Sequence, residues 1–221
     1  MDALRRTTGI AATAGAGLTL VELPLYFVYG GPPPDWNILT RSLIGLCGVT
    51  ALVVFMSCFG QWVKRDAPQY EWIGALAATA GIAWLTVTMV STGLEVGAAI
   101  QAPEPIDPTI SVSGTYILYG TISRLLGTVL FAALGFAVLR TRILPDWVGR
   151  SALMLAIVNL IFAPSLFFGN DPVNFYAANG WGTTATVGGI TMIWLLAVGI
   201  TILRSPVTAP EAKSSLSRTK P

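Results

Sequence analysis

The sequence predicts an all-α fold: a polytopic integral membrane bundle of six transmembrane helices, with both termini cytoplasmic. Three observations predict it. Of 221 residues, 53% are hydrophobic and 11% are charged, whereas a soluble domain carries about 25% charged residues. The apolar residues gather in six runs, each about as long as the ~20 residues that cross a bilayer. The basic residues are also sorted. Eleven of the thirteen lysines and arginines (Arg5, Arg6, Lys64, Arg65, Arg140, Arg142, Arg150, Arg204, Lys213, Arg218 and Lys220) fall on one side of such a bundle. The positive-inside rule assigns that side to the cytoplasm.

The runs cover roughly residues 8–29, 39–63, 72–100, 112–139, 147–168 and 179–203. Each is continuously apolar, whereas barrel strands alternate polar and apolar residues, so the runs are read as helices. GGPPPDW follows the first, QAPEPIDP the third and FFGNDPVN the fifth. Proline and glycine clusters of this kind end helices. Residues 1–204 therefore form one six-helix transmembrane domain. Residues 205–221, SPVTAPEAKSSLSRTKP, are expected to be a disordered cytoplasmic tail. Arg5 and Arg6 before ATAGAG resemble a signal peptide. The run is long for one, however, and its removal would spoil the charge sorting, so it is read as the first span.

Absences narrow the chemistry. With no histidine in the chain, haem held by histidine, most zinc and copper sites and imidazole acid–base catalysis are excluded. Lys64, Lys213 and Lys220 are the only lysines and all lie outside the expected spans, so no Schiff base sits mid-membrane. Cys47 and Cys58 share the second span about 16 Å apart, too far for a disulfide, and are read as packing residues. No phosphate-binding glycine loop, Cys-x-x-Cys pair or nucleophile elbow occurs. No cofactor, metal or nucleic-acid partner is expected. The expected partners are the lipid bilayer, a small polar or amphipathic ligand, and another membrane protein.

A charge inside a span is costly and marks a candidate functional site. In LTLVELPLYF, residues 18–27, Glu22 stands alone among apolar neighbours. Counted at 1.5 Å per residue, Glu22 is about 21 Å and Arg124 about 24 Å above the cytoplasmic side. Two opposite charges at one level are expected to pair, joining the first span to the fourth. Glu95, about 34 Å up, and Arg41 are expected near the outer surface, where each is also readable as a solvated interface charge. Thr88, Ser91, Thr92 and Glu95 share one helical face, and Tyr116, Tyr119, Gly120, Ser123 and Arg124 lie along another. Asn159 lies about 18 Å up the fifth span, and Asn179, Trp181, Thr183 and Thr184 open the sixth. Pro24 and Pro164, at matching outer depths, are expected to kink their helices. The candidate site is thus an outward-facing polar pocket with Glu22, Arg124, Glu95, Arg41, Tyr116, Tyr119, Ser123, Thr88, Thr92 and Asn159 as ligand-binding residues.

Small-residue faces on the first span (Gly9, Thr13, Gly17) and the fourth (Gly120, Gly127, Gly135) would let backbones approach closely and suggest that these two helices are neighbours. Trp62, Trp72, Trp147 and Trp181 read as interfacial anchors. The tripeptide Pro-Asp-Trp occurs at 34–36 and 145–147. That spacing fits either two inverted three-helix halves or convergence on one helix-start device.

Residues 127–162, GTVLFAALGFAVLRTRILPDWVGRSALMLAIVNLIF, carry a helix ending in Arg140 and Arg142 and a Leu144-Pro145-x-Trp147 turn that opens the next helix. With Arg41 at the start of the second span, this segment resembles a family of uncharacterised six-helix bacterial membrane proteins, a domain-of-unknown-function family. The resemblance implies six spans and a bacterial inner membrane, and no activity or catalytic residue. Three readings of function stay open. The chain binds or transports a small polar or amphipathic ligand, or it is a membrane partner or assembly subunit whose buried charges are structural. Alternatively, it is a membrane enzyme acting on a lipid or isoprenoid with a glutamate general acid. An arginine partner would lower the pKa of Glu22, so the enzyme reading favours Glu95.

Overall fold

The computed structural model describes residues 2–205. The expected tail beyond Ser205, with Lys213, Arg218 and Lys220, lies outside the described residues. Regular structure among the described residues is entirely helical. Six helices are long and apolar enough to cross a membrane: α1 (Ala3–Phe27), α2 (Asp35–Asp66), α3 (Pro68–Gln101), α4 (Thr115–Thr141), α5 (Asp146–Phe168) and α6 (Gly182–Arg204).

All six expected spans are present, and the shifted ends have local causes. α2 begins at Asp35 because Pro34 is extended and the Asp35 carboxylate complements the helix dipole in the first turn. α4 begins late because Gly114 is left-handed, at a φ of 87°. α6 begins at Gly182, so Asn179 belongs to the preceding loop and not to the helix. Pro145 and Asp146 open α5 as Pro34 and Asp35 open α2, with the aspartate in the first turn and not at the cap.

The helices follow one another around the bundle. α1 packs on α2, α2 on α3, α3 on α4 and α4 on α5, and α6 closes against α1 while touching α5 only sparsely. The expected approach of the first and fourth helices is therefore corrected. Both glycine faces exist, but they meet other partners. A Cβ at Gly9 would meet Leu203 of α6, and one at Gly15 would meet the Gly48 carbonyl of α2 at 2.8 Å. On α4, Gly127 faces Asn159 and Gly135 faces the Gly149 carbonyl, both on α5. Gly17 faces open space.

Both described termini lie at one end of the bundle, the terminal end; the other is the distal end. Near mid-bundle Phe131 stands edge-on to Trp194 and Trp84, at 5.5 and 6.3 Å between centroids. Trp62 is no interfacial anchor. It is 2% exposed, its indole N–H donates to Asp66 at 2.7 Å, and Arg5 lies 5.5 Å from its ring. Trp72, Trp147 and Trp181 are exposed, as anchors should be. Asp2 pairs with Arg65, tying the start of α1 to the end of α2. That hydrogen bond holds the Asp2 carboxyl below its ordinary range.

The distal half is less regular. After Glu22, α1 tightens into a 3₁₀ turn over Leu23–Phe27 containing Pro24, and α5 does the same over Ala163–Phe168 containing Pro164. α4 widens into a π turn over Leu118–Ile122, where Gly120 has φ −81° and ψ −112°. α6 starts with another π turn, Gly182–Thr186. Only α2 and α3 keep α-geometry through this half. Proline removes the donor that would bond a carbonyl one turn back, which accounts for α1 and α5 as the sequence leads one to expect.

Candidate functional site

A cavity of about 380 Å³ lies in the distal half between α1, α3, α4 and α6. α1 contributes Leu20, Glu22, Leu23 and Tyr26 to its wall, and α3 contributes Trp84, Thr88, Ser91, Thr92 and Glu95. Tyr119, Ser123 and Arg124 come from α4, and Gly188, Gly189 and Met192 from α6. The face Thr88–Ser91–Thr92–Glu95 therefore does point into one space, as its helical spacing predicts. Ser123 binds back to the Leu118 carbonyl at 2.8 Å and Ser91 to the Thr115 carbonyl at 3.2 Å. Both hydroxyls secure the irregular start of α4.

The expected ion pair between Glu22 and Arg124 is absent. Glu22 turns toward α2, where its carboxylate fills the space a side chain at Gly45 would need. Its hydrogen-bond partner is the hydroxyl of Tyr26, one turn on, at 3.0 Å. The Tyr26 ring in turn carries the Arg41 guanidinium 4.0 Å from its centroid, a cation–π contact of the closest kind. Among the described residues Arg124 forms no ion pair. One guanidinium N–H reaches the Tyr119 carbonyl at 3.5 Å, and its Nε has no partner among the described residues. Equal depth brought both residues to one cavity, but α1 and α4 are not neighbours, so depth alone did not bring them into contact. A double-mutant cycle on Glu22→Gln and Arg124→Gln should be additive to within about 0.5 kcal/mol. A larger coupling in the melting of the detergent-solubilised protein would contradict this geometry.

Glu95 and Arg41 are not solvated interface charges, being 6% and 3% exposed. Arg41 lies outside the main cavity, facing a polar crevice of about 40 Å³ with Tyr26, Tyr29, Asp107 and Thr109. Tyr26 and Thr109 line both spaces, so the Tyr26 ring is part of the wall between them. Tyr116 and Asn159 do not line the cavity. Asn159 donates to the Leu155 carbonyl at 2.8 Å and sits against Gly127, which makes it a packing residue at the α4–α5 seam.

The loop between α5 and α6 was not readable as part of the site. It folds back into the bundle, burying Ala177 and Ala178, and the Ala178 carbonyl approaches Gly120 so closely that a Cβ would meet it at 2.8 Å. Tyr176 donates its hydroxyl to the Ile161 carbonyl beside the 3₁₀ turn of α5. Phe175 and Trp181 meet edge-on with centroids 4.4 Å apart. Non-helical backbone at this depth is tolerable where it lines a cavity, and Asn179 does line it. Tyr26 was also missed, although its four-residue spacing from Glu22 was a usable signal.

Three side chains on the cavity wall hold buried polar atoms with no hydrogen-bond partner among the described residues: Oε1 of Glu95, Nε of Arg124 and the whole amide of Asn179. Such groups are costly to leave unsatisfied. Together they present an acceptor on α3, a cation on α4 and an amide from the loop. No family model, curated protein or solved structure matches the chain.

Proposed function

We propose that this chain is a multi-pass protein of the bacterial cytoplasmic membrane, with both termini inside, that binds or transports a small polar or amphipathic ligand in the distal cavity. The sorting of basic residues to the terminal end supports the orientation and makes the cavity outward-facing. The resemblance of residues 127–162 to the six-helix bacterial family agrees with it. The observation that carries the binding reading is Arg124, 5% exposed, on a cavity wall and without a carboxylate partner among the described residues. A clamp that holds helices together would be paired; this cation is left for something else.

Gly188 supplies the test. It lines the cavity, and a Cβ there would meet nothing within 4 Å, so the side chain of Gly188→Trp starts into open space and is expected to occupy the cavity. Purified wild-type protein screened against small polar and amphipathic compounds should gain thermal stability from a binder by mass action. Gly188→Trp should melt close to wild type and lose that gain. Undiminished stabilisation in Gly188→Trp would put the binding elsewhere and end this reading.

A further inference from the structure

We infer that the ligand is a small amphipathic zwitterion, an acid group and a primary ammonium on one molecule with an apolar side chain, as in an apolar α-amino acid. The inference rests on the cavity being the binding site. It follows from how the unsatisfied groups are arranged. Arg124 and Glu95 are opposite in kind, both more than nine-tenths buried, both on the cavity wall, and not bonded to each other. A ligand with an acid group alone would pair with Arg124 and leave the Glu95 side chain on the cavity wall unmatched. One with an amine alone would do the reverse. Either would forgo a charge-assisted hydrogen bond in a site of low dielectric.

The spacing suits one small molecule. Counted from the Trp84–Phe131 contact at 1.5 Å per residue, Arg124 lies about 10 Å and Glu95 about 16 Å toward the distal end. The two are thus about one helical turn apart along the bundle. An acid and an ammonium carried by one carbon reach both when each is met by an outstretched side chain. Trp84, Met192, Leu20 and Leu23 give the cavity its apolar wall, so the side chain of the zwitterion has apolar surface to cover. Glu22 is already bonded by Tyr26 and leaves Glu95 as the carboxylate that meets the ammonium. A volume of about 380 Å³ is at the small end of ligand sites, which fits a molecule of this size.

The test uses the purified full chain and compares L-phenylalanine with 3-phenylpropionate, phenethylamine and phosphoethanolamine. Phenylalanine should raise the melting temperature and bind roughly tenfold or more tighter than either singly charged analogue, since each lacks one charged hydrogen bond. Arg124→Met should weaken phenylalanine and phenylpropionate while sparing phenethylamine. Glu95→Gln should weaken phenylalanine and phenethylamine while sparing phenylpropionate. Stabilisation by phosphoethanolamine in place of phenylalanine keeps the two-ended chemistry and assigns it to a lipid head group. Binding of phenylpropionate or phenethylamine as tight as that of the zwitterions overturns the inference. So does a panel in which no zwitterion binds while another compound binds and is blocked by Gly188→Trp; that outcome leaves the cavity reading standing. Absence of any binder sensitive to Gly188→Trp removes both. If either charge variant does not fold, Gly188→Trp still ties phenylalanine binding to this cavity.

Discussion

Replacing Arg124 with methionine is expected to stabilise the protein. A salt-bridged arginine would give the opposite result, because removing one member of a buried pair strands the other. Among the described residues Arg124 strands nothing: it has no ion-pair partner there and its Nε is unsatisfied. Its burial therefore carries a desolvation cost with little return, and methionine keeps most of the stem while discarding the charge. Replacing a buried ion pair by apolar residues of similar volume is often neutral or stabilising by about 1–4 kcal/mol, and a buried charge with no pair to compensate it should gain on the same scale. The measurement is the unfolding midpoint of wild type and Arg124→Met in the same detergent. A fall in stability would show that the guanidinium holds the bundle together. A rise together with loss of ligand stabilisation would show a residue kept for binding at the expense of fold.

Gly15→Leu is expected to do large damage, and Gly17→Leu almost none. The two glycines lie two residues apart on α1. A Cβ at Gly15 would meet Leu52 at 2.7 Å and the Gly48 carbonyl at 2.8 Å, while one at Gly17 would meet nothing within 4 Å. The Gly48 backbone cannot step aside, and Gly48 is itself fitted against Gly15 and Thr19. A leucine at 15 must push α1 off α2, at a cost of about 3 kcal/mol or more. The same push would carry Glu22 away from its place over Gly45. At Gly17 the better helix propensity of leucine should leave stability unchanged or raise it by up to about 1 kcal/mol. Thermal or denaturant unfolding of the two variants checks both arms, and equal losses would deny the close α1–α2 seam.

How much of this was legible follows from what a helical sequence encodes. Apolar run length is a local property, and it gave all six spans. Depth follows from the fixed rise per residue, and it put Glu22, Glu95 and Arg124 in one half of the bundle. Direction around the bundle depends on which helices are neighbours, which no single helix records. The Gly9 and Gly135 faces were therefore found but matched to the wrong partners, and Glu22 was assigned Arg124 when its contacts were Tyr26 and Gly45. Signals four residues apart were available and underused: Trp62 with Asp66, Glu22 with Tyr26, Asn37 with Arg41. The inward fold of residues 169–181 has no periodic signature, so Asn179 was credited to a helix when it belongs to a loop.

The irregular distal turns divide the molecule mechanically. At the terminal end Gly9 lies against the Leu203 side chain and Gly135 against the Gly149 carbonyl, so sliding α4 past α5 there would mean lifting backbone over backbone. At the distal end α1, α4, α5 and α6 each carry a segment of five or six residues whose hydrogen-bond ladder is already out of α-register. Those four segments are where the hydrogen-bond ladder departs from the α-pattern. On the binding reading, admitting a ligand would call on these 21 residues, with α2 and α3 keeping α-geometry beside them.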